Sequence, residues 1–213
     1  MRTQEVLSPA CGLEAAQRAA GIPLRYAQQG ISLASAAMAG ARVLEPLRHY
    51  PARDVRDTAA GTRFYYHAHT SRRCPPDEHG HFHLFDWPGG QPSGADFFHV
   101  AGLSLDARGQ ALRWFTTNRW VTGEHWRPAE DIVAALPRFE VRTHGRLAPV
   151  ADWLSAMVQL FAPQIATLVR RRDAVMARHI TRLGREAALE DREMDVVTEC
   201  RVSLPQRIRQ LSA

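Results

Sequence analysis

Two neighbouring stretches of the chain alternate with a period of two, and no other feature of the sequence restricts the fold as strongly. Residues 62–70 read TRFYYHAHT and residues 79–87 read HGHFHLFDW. A β-strand sends successive side chains to opposite faces. In the first stretch Arg63, Tyr65, His67 and His69 share one face, and Phe64, Tyr66 and Ala68 share the other. In the second, His79, His81, His83, Phe85 and Trp87 lie together, opposite Phe82 and Leu84. An antiparallel hairpin that sets His67 opposite His81 and His69 opposite His79 brings five of the ten histidines to one face. Strands about 4.8 Å apart place such rings within reach of one ion, whose bonds to nitrogen are about 2.0–2.1 Å for zinc. An even–odd register would split the cluster across both faces.

The rest of the chain supplies a scaffold. Residues 96–105 and 111–121 are further strand candidates around the turn DARG at 106–109, and 138–143 is a fifth. Residues 88–94, PGGQPSG, form a loop, and 49–61 form an irregular connector. A helix is expected over 9–20, capped by Ser8 and ended by Gly21, and an alanine-rich one over 32–47. Pro128 opens a helix to about residue 136. Residues 150–183 carry an apolar stripe of Leu154, Val158, Phe161, Ile165, Leu168 and Val175, with a break expected just before Pro163 and an end at Gly184. Residues 186–210 read as one or two final helices. The expected class is α+β: an antiparallel sheet of four to five strands over about 62–143, with N-terminal and C-terminal helices packed on it. We expect one domain over 1–213, divided into N-terminal helices (1–61), a β core (62–143) and C-terminal helices (150–213).

Composition narrows the function classes. All 27 basic residues are arginine, so a Schiff-base lysine and a lysine-containing phosphate loop are excluded. The net charge of +5 is spread along the chain, and the triplet Arg170, Arg171 and Arg172 falls in a helical segment where its members diverge; nucleic acid is not an expected partner. No apolar run is long enough to span a bilayer, and no secretory signal is visible, so no membrane role and a cytoplasmic location are expected. Three scattered cysteines, Cys11, Cys74 and Cys200, suggest no disulfide framework, and Cys74 is expected to be a free thiol.

The candidate site follows from the hairpin. His67, His69, His81 and His83 are the candidate ligands of a divalent transition metal, with Glu78 beside them as a candidate catalytic carboxylate in an acid–base or orienting role. The segment FTTNRWVTGEHW at 115–126 adds Asn118, able to bond a substrate, and Glu124, a candidate general base or orienting partner for a ligand histidine. The structural alternatives are that the histidines fill space against aromatic rings, that Asn118 ends a strand, and that His99 is a buried histidine on the apolar face of Phe97, Ala101 and Leu103. HGHFHLF also has the spacing of the histidine-triad nucleotide hydrolases and transferases, in which His81 would be a nucleophile. Three functions are thus open: a small metalloenzyme or metal-binding protein acting on a small-molecule substrate, a metal-free enzyme of histidine-triad type, or a non-catalytic protein that docks a protein partner.

The runs YYHAHTSRR, EHGHFHLF, FFHVAGLSLDARGQ, WFTTNRWVTGE and LFAPQIATLVRRRD resemble an uncharacterised bacterial family, a domain of unknown function, over about residues 45–210. The resemblance implies bacterial origin and carries no activity.

Overall fold

The computed structural model describes residues 9–69, 75–88 and 96–211. Cys74 and the expected cap Ser8 lie outside these residues; among the described ones, Cys11 and Cys200 form no disulfide. In chain order the elements are α1 (Pro9–Gln28), α2 (Leu33–Ala37), β1 (Tyr50–Asp57), β2 (Thr62–His67), β3 (Gly80–Asp86), β4 (Phe98–Leu105) and β5 (Ala111–Thr117). There follow α3 (Arg119–Thr122), α4 (Ala129–Ala135), α5 (Ala148–Leu183), α6 (Arg185–Leu189), β6 (Val196–Arg201) and α7 (Leu204–Leu211). No described helix is both long and apolar enough to cross a membrane.

The α+β class is as expected, but the sheet has six strands rather than four to five, all antiparallel and in sequence order. The first extra strand, β1, lies in the expected connector. Its pairing jumps from Tyr50↔Tyr66 to Val55↔Phe64, so five positions on one strand answer two on the other. Such an irregularity erases the period-two signal. The second, β6, was expected to be helical. Its sequence VVTECR begins with three β-branched residues, and it pairs with β5 from some eighty positions away, a partnership that no local pattern reports. Residues 138–143 form no strand. A 3-10 turn at Leu136–Arg138 leads into them, with Phe139 N–H donating to the Leu136 carbonyl, and side chains take up further backbone groups: the Thr62 hydroxyl donates to the Glu140 carbonyl, and Val141 N–H donates to Ser155 Oγ.

The helices also depart from expectation at Gly21 and Pro163. The α1 helix runs through Gly21 and Pro23, since Ala15, Ala16, Ala19 and Ile22 keep one continuous buried face. The α2 helix is only five residues long; Ala39 and Gly40 follow it with positive φ. The expected break at Pro163 does not occur. Leu160 and Phe161 on one side, and Ile165, Leu168 and Val169 on the other, are all buried, while Pro163 itself is exposed. Burial on both sides outweighs one missing hydrogen bond. The helix then ends at Gly184, as its sequence indicates.

The α5 helix lies against one face of the sheet. Phe82 meets Trp153, and Trp114 meets Phe161, with ring centroids 6.2 and 6.3 Å apart. Phe64, Tyr66, Leu84, Leu103 and Leu105 complete that layer. The opposite face carries Tyr65, His67, His81, His83, Phe85 and Phe115, which are also buried.

Replacing the exposed Pro163 by alanine restores a backbone donor and removes the clash with the preceding turn without disturbing any packed side chain. Proline in a helix interior costs about 3 kcal/mol relative to alanine. Pro163→Ala is therefore expected to raise unfolding free energy by about 1–3 kcal/mol in urea titrations; unchanged or lowered stability would show that the proline fits the bend of this helix.

Candidate metal centre

Strands β2 and β3 pair odd with odd, as the alternation predicts: His67 stands opposite His81, Tyr65 opposite His83, and Arg63 opposite Phe85. The rings of His67, His81 and His83 meet edge to face, with centroids 4.5, 5.1 and 5.0 Å apart. One ring nitrogen of each lies within 4.8 Å of the other two. Nε2 of His81 is 2.8 Å from Nε2 of His67. Two nitrogens bound at right angles to one metal ion would be about 2.9 Å apart, given bonds of about 2.0–2.1 Å.

The far side of the His81 ring is held by a carboxylate. Its Nδ1 is 2.6 Å from Glu78 Oε1, and both side chains are almost fully buried. Arg113 reaches Glu78 Oε2 at 3.3 Å and also pairs with Glu199. Burial pushes the Glu78 carboxyl up, but the bond from His81, the His81 charge and Arg113 outweigh it and hold the group below its ordinary range. A carboxylate accepts only, so Nδ1 of His81 donates to Glu78, and Nε2 is the nitrogen that faces His67.

His83 has a partner that sequence reasoning placed elsewhere. Its Nδ1 is 3.0 Å from Nε2 of His99, whose Nδ1 lies 3.2 Å from the Thr117 hydroxyl. By simple alternation His99 would sit with Ala101 and Leu103. In the structure Leu84 pairs with Ala101 while Phe85 pairs with His99, which leaves Val100 as a bulge. The extra residue reverses the alternation and turns His99 onto the histidine face. Gly102, opposite His83, leaves room for the Phe115 ring; a Cβ there would stand 2.2 Å from that ring. Phe115 thereby closes against His81 and His83, at 5.2 and 5.7 Å.

The five-histidine convergence does not form. His79 precedes the first residue of β3, so the pleat does not aim it; its Nδ1 meets the hydroxyl of Tyr66, on the core side. The histidine-triad spacing is accordingly divided between two faces. His69 is half-buried and stacks on His81 at 5.2 Å, outside the set of three. His49, which no local pattern singled out, stacks flat on Tyr65 at 3.7 Å.

The two residues expected from the segment at 115–126 serve other ends. Asn118 is fully buried, and its amide is engaged twice: Oδ1 accepts from Arg119 N–H as the cap of α3, and Nδ2 donates to the Ala188 carbonyl. Glu124 accepts from the backbone N–H of His99 at 2.6 Å, bonding the strand that carries His99 and no histidine ring.

Burial governs the electrostatics. Desolvation, reinforced by His81, His69 and His49, pushes His67 down to about 2. Desolvation and neighbouring histidines hold His83 well below its ordinary value, and desolvation together with Arg172 and His81 pushes His99 down to about 3. These three rings are neutral at pH 7, so a metal has no proton to displace from His67 or His83.

Glu124 shifts the other way. Desolvation raises its pKa to about 7, with Arg172 and the His99 N–H opposing. The native state thus keeps a proton that the unfolded chain loses near its ordinary value of 4.5. The resulting stabilisation is present below 4.5 and is lost as pH rises through about 7. Glu124→Gln is expected to gain stability relative to the unsubstituted protein between pH 5 and pH 8, by about 1–3 kcal/mol, in urea titrations at both values. A difference independent of pH would show that Glu124 is ionised throughout.

Comparison of the chain with curated proteins and with solved structures gave no match. Among protein families one match covers residues 13–202, most of the chain and the whole of the histidine face. The chain belongs to that family, the domain of unknown function DUF6969.

Proposed function

We propose that the protein binds one divalent transition metal through His67, His81 and His83, and that it is a small metalloenzyme or metal-binding protein. The observation that carries this reading is Nε2 of His83. It is buried, has no hydrogen-bond partner among the described residues, and belongs to a ring grouped with two other histidines at metal-ligand spacing. A buried polar atom without a partner costs about 1–3 kcal/mol, and an ion at the centre of the three rings would satisfy it.

The donor set fits such an ion. Three imidazoles suit Zn, Cu, Ni or Fe and leave coordination positions for water or a small-molecule substrate. Glu78 would orient His81 and supply a negative charge near the cation. His69, first expected as a fourth ligand, lies flat on His81 and is left out of the proposed set. Asn118 is left out as well, since both ends of its amide are already bonded.

One observation favours the rival reading of structural histidines. The 2.8 Å contact between His67 and His81 can be an ordinary hydrogen bond, with His67 Nε2–H donating to the His81 lone pair. Metal analysis separates the two. Untagged protein prepared without chelator is expected to hold about one equivalent of a transition metal, or to take it up on titration with Zn²⁺, Co²⁺, Ni²⁺ or Cu²⁺. His81→Ala and His83→Ala should lose most of it, while the variant at the exposed His125, His125→Ala, should keep it. Saturation at about 100 times Kd stabilises the native state by about 2.7 kcal/mol, so excess chelator should lower Tm in the parent protein only. A folded protein that takes up none of these ions would leave the histidines a structural role.

A further inference from the structure

We propose that His99 and Thr117 are positioning residues for His83, forming a second orienting arm that works beside Glu78 and contains no carboxylate. The inference rests on the metal reading above and says how its third ligand is aimed.

The three groups form a line across β3, β4 and β5. His83 Nδ1 is 3.0 Å from His99 Nε2, and His99 Nδ1 is 3.2 Å from Thr117 Oγ1. All three side chains are buried. Neutral imidazole has one donor and one acceptor nitrogen, so the line can be filled in two directions. In one, Thr117 donates to His99, His99 donates to His83, and the His83 hydrogen sits on Nε2. That hydrogen would be buried with nothing among the described residues to accept it. In the other, His83 Nδ1–H donates to His99 Nε2 and His99 Nδ1–H donates to Thr117 Oγ1. The His83 lone pair then sits on Nε2, in the group formed with His67 and His81. The second direction makes His83 a ligand in the same sense as His81, with its proton on the outer nitrogen.

Local structure holds the arm in place. The bulge at Val100 turns the His99 ring onto this face, and its backbone N–H is fastened by Glu124 at 2.6 Å. Thr117 is the last residue of β5. A ring needed only to fill space would require neither Thr117 nor a nitrogen at this position. Phenylalanine would fill the same space against Phe85, whose centroid is 5.3 Å from that of His99. The two arms differ in charge. Glu78 brings a negative charge to His81, whereas His99 and Thr117 orient His83 without adding one.

Co²⁺ is the probe, since the visible absorption of the bound ion reports ligand geometry. It would be titrated into the full chain and into His99→Phe, His99→Gln, Thr117→Val and Thr117→Ser, each checked for folding by circular dichroism. Loss of an orienting partner typically lowers metal affinity by roughly 10–100-fold. His99→Phe is expected to weaken Co²⁺ by that factor and to shift the absorption band. His99→Gln, which keeps an acceptor for His83 and a donor for Thr117, should recover part of the loss. Thr117→Val should weaken binding to a smaller extent and Thr117→Ser should not. Should His99→Phe fail to fold, His99→Gln and Thr117→Val decide the matter by the same two readouts. Folded variants that bind Co²⁺ with the parent's affinity and band overturn the inference and leave the metal reading standing. A folded parent protein that takes up no Co²⁺, Zn²⁺, Ni²⁺ or Cu²⁺ overturns both.

Discussion

Pairing His67 with His81 commits every residue of β2 and β3 to a face. Phe64, Tyr66, Phe82 and Leu84 go to the side covered by α5, and each gains roughly 1.5–3 kcal/mol from burial. A slip of either strand by one residue would move its two apolar side chains out of the core and turn its histidines into it. The register is therefore enforced by the apolar face, and the histidine geometry on the other face follows from it. Strand β4 continues the arrangement on the opposite edge of β3, with Ser104 opposite His81 and Gly102 opposite His83.

The cost of this design is electrostatic. His67, His83 and His99 are buried close together, and each is kept neutral chiefly by desolvation. His81 occupies Nε2 of His67, His83 and His99 occupy one another, and Thr117 takes the second nitrogen of His99, which limits what burial costs. Nε2 of His83 is buried with no partner among the described residues. Arg113 bridges Glu78 to the more exposed Glu199, so the carboxylate that touches His81 has a cation beside it.

The hairpin was legible in the sequence because it is regular, and so were its three facing histidines and the turn at 106–109. What escaped was irregular or distant. A single extra residue, Val100, moved His99 from the expected apolar face to a place behind His83. A gap in pairing hid β1, and the partner that makes residues 196–201 a strand lies far back in the chain. Local rules overstated the power of Gly21 and Pro163 to end helices: Ile22 lies buried just past the first, and Ile165, Leu168 and Val169 past the second. Glu78 stood out by its place next to the histidines. Its oxygen on His81 Nδ1, like the engagement of Asn118 with Ala188, depends on three-dimensional neighbours that spacing does not encode.

The length of α5 sets a division within the molecule. Thirty-six residues make a rod about 54 Å long at 1.5 Å per residue. The sheet beneath it is about 24 Å wide, from six strands about 4.8 Å apart, and its longest strands of eight residues extend about 27 Å. In any orientation the helix outruns the sheet. Its last turns are covered by a small separate cluster in which Met176 packs with Ala188 and Leu189, ringed by Trp126, Ile180, Met194 and Val197. A patch of that size buries far less apolar surface than the main core. Opening of the chain from this end would expose little, and amide protons here should exchange through local excursions while those of β3 and β4 wait for global unfolding.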